Sequence, residues 1–189
     1  MDKADIIARV CELLESGEKT SGAKLININY PFKKVDYVKR NYSKAYMLSI
    51  FVRDGFTDRY SGEKLLFPPV LRILSEIYPK EFPFHPNWKY NESHPAYWDL
   101  VPTVDHIIPI ALGGTNDKEN LVTTSMKRNS AKSNFTLGEL GWYLHPPGKL
   151  ENWDGKLRWF LKTIKDYPHF LEHSYVKQWY AVAKNTTIT

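Results

Sequence analysis

The residues best suited to chemistry in this chain are concentrated between Thr103 and Lys132. Asp105 and His106 are adjacent inside an apolar, β-branched run, Thr103-Val104-Asp105-His106-Ile107-Ile108-Pro109. Gly113-Gly114 follow, then Asn120-Leu121, then Asn129-Ser130-Ala131-Lys132. Imidazole titrates near neutral pH, so His106 is suited to take a proton from water. Asp105 and Asn129 offer hard oxygen donors, which suit Mg²⁺ or Mn²⁺ better than a thiol-seeking metal. Two protein ligands leave most coordination positions to water and phosphate oxygens, as Mg²⁺ prefers. A base that activates water, beside a cation that neutralises charge on phosphorus-bound oxygens, is the minimal equipment for phosphodiester hydrolysis. Asn120 has the donors and acceptor to bond near His106 and fix the ring or its strand.

Positioning those groups requires a small number of elements. Thr103 to Ile110 reads as a strand, Gly113 to Glu119 as a loop, and Leu121 to Ser125 as a returning strand. Ser125 then caps a short helix bearing Lys127, Arg128, Asn129 and Lys132. Strand, loop, strand and helix bring the Asp, His and Asn to one end. Neighbours on a regular strand face opposite ways, so Asp105 and His106 share a site only if the strand bends or ends there. The cations Lys127, Arg128 and Lys132, grouped on that helix, are candidates for contact with nucleic-acid phosphates.

Taken in order, Asp-His, Gly-Gly, Asn-Leu and Asn-x-x-Lys resemble the HNH (ββα-metal) endonucleases, in the variant with Asn as third signature residue. The resemblance covers about thirty residues and extends weakly upstream to Arg53-Asp54-Gly55 and Gly62. It implies His106 as general base, Asp105 and Asn129 as metal ligands, and Asn120 as the residue that orients the histidine. It also implies Mg²⁺ or another divalent ion such as Mn²⁺ as cofactor, and DNA, above all double-stranded DNA, as substrate. Many relatives carry two Cys-x-x-Cys pairs that hold a structural zinc. The matching places here are Asp58, Ser61, Ser125 and Arg128. No structural zinc is therefore expected, and aromatic packing from the flanking segments must support a unit too small to stand alone. Two other functions are compatible with the same residues: a non-catalytic nucleic-acid-binding module, and an RNA-cleaving or toxin-type nuclease with a protein partner. Intact Asp105, His106 and Asn129 favour catalysis over the first. A homodimer is left open.

The rest of the chain sets the frame. Its 189 residues, 42% hydrophobic and 14% aromatic, predict a folded α+β protein: a ββα unit embedded in one mostly helical domain, 1–189. Within it we expect an N-terminal helical or extended segment, 1–42, a nuclease core, 43–134, with the ββα unit at 103–133, and a C-terminal helical segment, 135–189. Helices are expected over Ala4–Ser16, from Ser43 to Gly55, from Pro68, after Asp154, and over Phe170–Ala183. Lys24–Tyr30 reads as a short strand closed by Pro31. The stretch from Pro79 to Pro102 reads as an ordered aromatic loop, and Thr136 to Glu139 has the form of a capping box. A single cysteine, Cys11, excludes an internal disulfide framework and fits a reducing, cytoplasmic setting. No apolar run is long enough for a membrane span, and Met1 to Asp5 lead into no secretory signal. A net charge of +5 permits a polyanionic partner without identifying one.

Overall fold

The computed structural model describes residues 2–35 and 41–186. The chain divides into two compact units, Met1–Asp36 and Tyr37–Thr189. The segment expected over 1–42 includes residues 1 and 36–40, which lie outside the described residues.

The first unit is a helical hairpin. Helix α1, Lys3–Glu15, starts at a reciprocal cap: Asp5 N–H donates to the Asp2 side chain at 2.9 Å, and Asp2 N–H to Asp5 at 3.2 Å. The strand expected over Lys24–Tyr30 is instead the second half of helix α2, Lys19–Asn29. β-Branched Ile26 and Ile28 weaken a helix by only about half a kcal/mol each, and nothing between Lys19 and Asn29 breaks one. Packing between the two helices decides the matter. Gly22 is buried against α1, where a Cβ would stand 3.6 Å from Val10 Cγ1. Pro31 follows directly after the helix, as expected of a residue that cannot continue it.

The second unit carries the rest. Ser43 caps helix α3, Lys44–Arg53, by accepting Tyr46 N–H at 3.1 Å. Helix α4, Pro68–Ile77, opens on two prolines. The aromatic stretch that follows contains a 3₁₀ turn, Tyr90–Glu92, and a short helix α5, Ala96–Asp99, whose Tyr97 is fully buried against Leu71 and Val101. Strands β1, Pro102–His106, and β2, Leu121–Ser125, form an antiparallel pair with Val104 opposite Thr123 and His106 opposite Leu121. Helix α6, Met126–Lys132, follows at once. A capped turn of helix α7, Leu137–Leu140, leads to α8, Leu157–Asp166, and α9, Ser174–Ala183. The last helix is shorter than expected: Pro168–Glu172 is 3₁₀, and His173 is extended, with ψ 114°. No helix among the described residues is long and apolar enough to cross a membrane.

The architecture is α+β, a two-stranded ββα unit set among helices. Its main core joins α3, α4, α8 and α9 through aromatic rings, with Phe67 edge-on to Phe160 at 5.1 Å and to Trp179 at 5.4 Å. Burial of each such ring contributes about 2–3 kcal/mol, and this core supports a hairpin that two strands alone would not stabilise.

Two buried carboxylates fasten the hairpin to the turn after α3. Asp54 accepts from Arg53 Nε and Arg59 Nη1, each at 2.9 Å, and from Thr123 N–H at 2.7 Å. Asp58 accepts from Tyr60 N–H at 2.9 Å, Thr124 Oγ1 at 3.0 Å and Ser125 N–H at 2.8 Å. Ser125 in turn caps α6, its Oγ accepting Arg128 N–H at 3.2 Å. Of the four places matched to zinc-binding cysteines in the resemblance, Asp58 and Ser125 are thus joined directly. Ser61 Oγ donates instead to Glu63.

Candidate active site

Register fixes which way the site residues point. Thr123 Oγ1 donates to the Ile50 carbonyl of α3, so the hairpin face holding Thr123, Val104 and His106 turns toward α3. Asp105 and Thr124 occupy the other face, toward α6 and the Asp58 turn. The alternation of a regular strand is kept, and β1 ends at His106, so the two groups leave opposite faces at the strand's end.

On the α6 side, Asp105 is 7% exposed. Its Oδ2 accepts the Tyr60 hydroxyl at 2.8 Å and lies 2.9 Å from the Lys132 ammonium. Oδ1 has no hydrogen-bond partner among the described residues. Asn129 sits one turn before Lys132, hence on the same helix face; it is half-buried, and its amide has no partner among the described residues. Burial and the neighbouring Asp105 charge push the Tyr60 hydroxyl far above the usual tyrosine range, so it stays a proton donor to the carboxylate.

On the other side, His106 is 3% exposed. Its Nε2 lies 2.9 Å from Asn116 Oδ1 and 3.0 Å from the Tyr42 hydroxyl, which itself donates to Asn116 Oδ1 at 2.7 Å. An amide oxygen only accepts, so Nε2 carries the proton in this arrangement and the lone pair is on Nδ1. Nδ1 has no partner among the described residues.

Asn120 does not touch the imidazole. Its Oδ1 accepts Ile108 N–H at 2.8 Å, and its Nδ2 donates to the carbonyls of Ile108 at 3.1 Å and Thr115 at 2.9 Å. It therefore closes the loop that leaves β1 and fixes the strand end rather than the ring. Gly114 makes that closure possible, since a Cβ there would lie 1.8 Å from the Ile108 carbonyl oxygen. The residues on the ring, Tyr42 and Asn116, were not singled out from sequence. Asn116 lay in a polar loop where Asn ordinarily signals a turn, and Tyr42 is distant in sequence. Tyr60 was likewise missed, although it falls between two of the zinc-equivalent positions.

The three basic residues of α6 separate. Lys127 is 68% exposed and pairs with Asp99 at 3.0 Å. Arg128 lies over the Trp142 ring, 5.5 Å from its centroid, and 4.0 Å from Glu63. Lys132 is fully buried, so the expectation that it faces backbone phosphate is corrected: its ammonium is committed to Asp105 and to the His106 carbonyl, 2.6 Å away. His85 and His94 remain in the aromatic stretch, His85 beside Glu92 and His94 stacked on Phe82.

Residues 100–135, which hold β1, β2, α6 and all of the groups predicted for the site, match the family model described as HNH endonuclease. The chain contains an HNH endonuclease domain. Nucleases of this family act on nucleic acid and use divalent metal ions. No curated protein and no solved structure matches the chain. Within the HNH domain the donor set fits a hard divalent ion in kind: a carboxylate oxygen and an amide oxygen, both without a partner among the described residues, on the facing elements β1 and α6. Among the described residues no three His, Cys, Asp or Glu side chains are grouped to hold a metal, so an ion held by Asp105 and Asn129 would have few protein ligands.

Proposed function

We propose that the protein is a divalent-metal-dependent endonuclease that hydrolyses phosphodiester bonds in DNA, with duplex DNA as its substrate. The observation that carries this reading is the end of β1, where a histidine with an open Nδ1 adjoins a carboxylate with an open Oδ1. Asp105 and Asn129 would hold Mg²⁺ or Mn²⁺. When bound, the ion supplies positive charge against the phosphate oxygens as the leaving oxygen departs.

The chain's own groups do the rest. His106 Nδ1 takes the proton of the attacking water, while Nε2–H stays anchored to Asn116, which keeps the ring from rotating. Asn120 holds the strand end in register so that the imidazole is presented at the rim of the hairpin. Lys127 and Arg128 of α6 would meet backbone phosphates, a reading supported by the largely exposed Lys127 side chain. The net charge of +5 is compatible with a polyanionic substrate.

The test is incubation of the purified full-length protein with supercoiled plasmid, with and without Mg²⁺ or Mn²⁺, followed by sequencing of the ends. Metal-dependent nicking or linearisation, lost in His106→Ala, is expected. Binding to plasmid with no cleavage under any divalent ion would leave a non-catalytic binding module. Cleavage confined to RNA would replace the DNA assignment.

A further inference from the structure

Lys132 is a fully buried lysine held by three groups: Asp105 Oδ2 at 2.9 Å, the His106 carbonyl oxygen at 2.6 Å, and the Tyr60 ring at 5.6 Å. Withdrawing an ammonium from water is unfavourable unless its charge is paired and its N–H groups are used. These contacts do both, and they hold the cation on the same carboxylate that is open to a divalent ion through Oδ1. With Asp105 at −1, Lys132 at +1 and Asn129 neutral, the cleft has a formal charge of zero. Affinity for hard cations follows the number of charged ligands. A divalent ion entering this cleft in the free protein meets an ammonium on the shared carboxylate and no surplus of negative charge. A phosphodiester brings the missing negative charge.

We propose that Lys132 is an internal counter-cation that makes divalent-ion binding conditional on nucleic acid: the free protein holds the ion poorly, and ion and scissile phosphate bind together. This rests on the reading of Asp105 and Asn129 as metal ligands. Lys132 is a positioning residue, acting through the carboxylate. If it were only a staple between β1 and α6, its removal would change stability but not favour the metal.

The experiment uses Mn²⁺ as the probe and the full-length protein without nucleic acid, with free Mn²⁺ followed by electron paramagnetic resonance. Lys132→Gln keeps an N–H donor for the His106 carbonyl and removes the charge. It is expected to bind one Mn²⁺ about tenfold or more tightly than wild type, and Asp105→Asn in that background should abolish the gain. A non-cleavable phosphorothioate duplex should strengthen Mn²⁺ binding more in wild type than in Lys132→Gln, because the variant no longer needs the phosphate charge. A folded Lys132→Gln protein with unchanged Mn²⁺ affinity overturns the proposal while leaving Asp105 as a ligand. Mn²⁺ binding indifferent to Asp105→Asn even with the duplex present removes the ligand reading, and the proposal with it. Should Lys132→Gln fail to fold alone, Mn²⁺ supplied during refolding is the second readout. Recovery of cooperative melting supports substitution of one cation by another; a chain that stays unfolded in millimolar Mn²⁺ overturns it.

Discussion

Asn116 Oδ1 lies 2.9 Å from Nε2 of His106, and this contact, rather than one from Asn120, sets the orientation of the imidazole. Tyr42 adds a second restraint on the ring, through its hydroxyl 3.0 Å from Nε2 and through its tilted ring. Asn116→Ala is expected to lower kcat by about 10- to 100-fold with little change in KM, since misplacing a reacting group by an ångström has effects of that size. Asn120→Ala should show a different signature. It releases three backbone groups of the β1 exit loop, so melting temperature should fall together with activity. Steady-state cleavage rates and thermal melts on both variants separate the two roles, and equal melting temperatures would contradict the assignment.

Cleavage should depend on His106 through chemistry and on Asn129 through metal. His106→Ala is expected to lose about 10²- to 10⁴-fold in rate while keeping DNA affinity and stability. Asn129→Ala should raise the Mg²⁺ concentration for half-maximal cleavage, and Asn129→Asp should lower it by adding charge to a site that Lys132 keeps neutral. Metal titrations of cleavage decide this; identical titration midpoints in all three Asn129 forms would remove the residue from the metal site.

Alkaline stability should report on Tyr60. Burial and Asp105 raise its hydroxyl well above the ordinary value of 10.0, and burial pushes Tyr175 up to about 12. A raised folded-state value means that the unfolded chain releases the proton first. The stabilisation is therefore complete below pH 10 and lost as pH climbs through and beyond 12. Tyr60→Phe removes the Asp105 hydrogen bond and should be less stable than wild type near neutrality by about 1–2 kcal/mol. Because phenylalanine does not ionise, that difference should shrink between pH 10 and 12. Denaturant melts across this range test it; a constant difference would show that Tyr60 does not ionise on unfolding.

Removal of the Asp58 carboxylate should be severe. Asp58→Ala leaves Tyr60 N–H, Thr124 Oγ1 and Ser125 N–H without their acceptor in a buried place, which is expected to destabilise the second unit by about 3 kcal/mol or more. By the same argument, chelator treatment of the wild-type protein should leave its melting curve unchanged. Elemental analysis showing one tightly held zinc per chain, released only on denaturation, would refute that.

Local patterns made much of this molecule readable in advance. The Ser125 cap of α6, the Ser43 cap of α3 and the Thr136 capping box all rest on contacts within a few residues, and sequence shows such contacts directly. Asp105, His106 and Asn129 stood out because phosphodiester hydrolysis would use those types in that order, and they lie at the end of β1 and on α6. What was hidden depends on partners distant along the chain. Lys132 looks like any helix-surface lysine until Asp105, 27 residues earlier, is seen to draw it inward. Asn116 and Tyr42 meet His106 only after the β1 exit loop and the start of α3 are in place. The strand expected at Lys24–Tyr30 failed for the same reason: packing against Val10 overrode β-branched side chains.

The carboxylates of Asp54 and Asp58 bear on how this HNH domain can be handled as a part. Both precede residues 100–135, yet they terminate hydrogen bonds from Thr123, Thr124 and Ser125 inside that stretch. Gly148 N–H, beyond the far end, donates to the Asp54 carbonyl at 3.0 Å, and Gly55 packs so closely on Gly148 that a Cβ would lie 2.4 Å from its backbone. A fragment cut to the family boundaries would expose these donors and lose its scaffold. Moving the HNH domain onto another protein therefore requires the continuous piece from α3 through α9, whose rings complete the core beneath the hairpin, joined at its ends rather than dissected within.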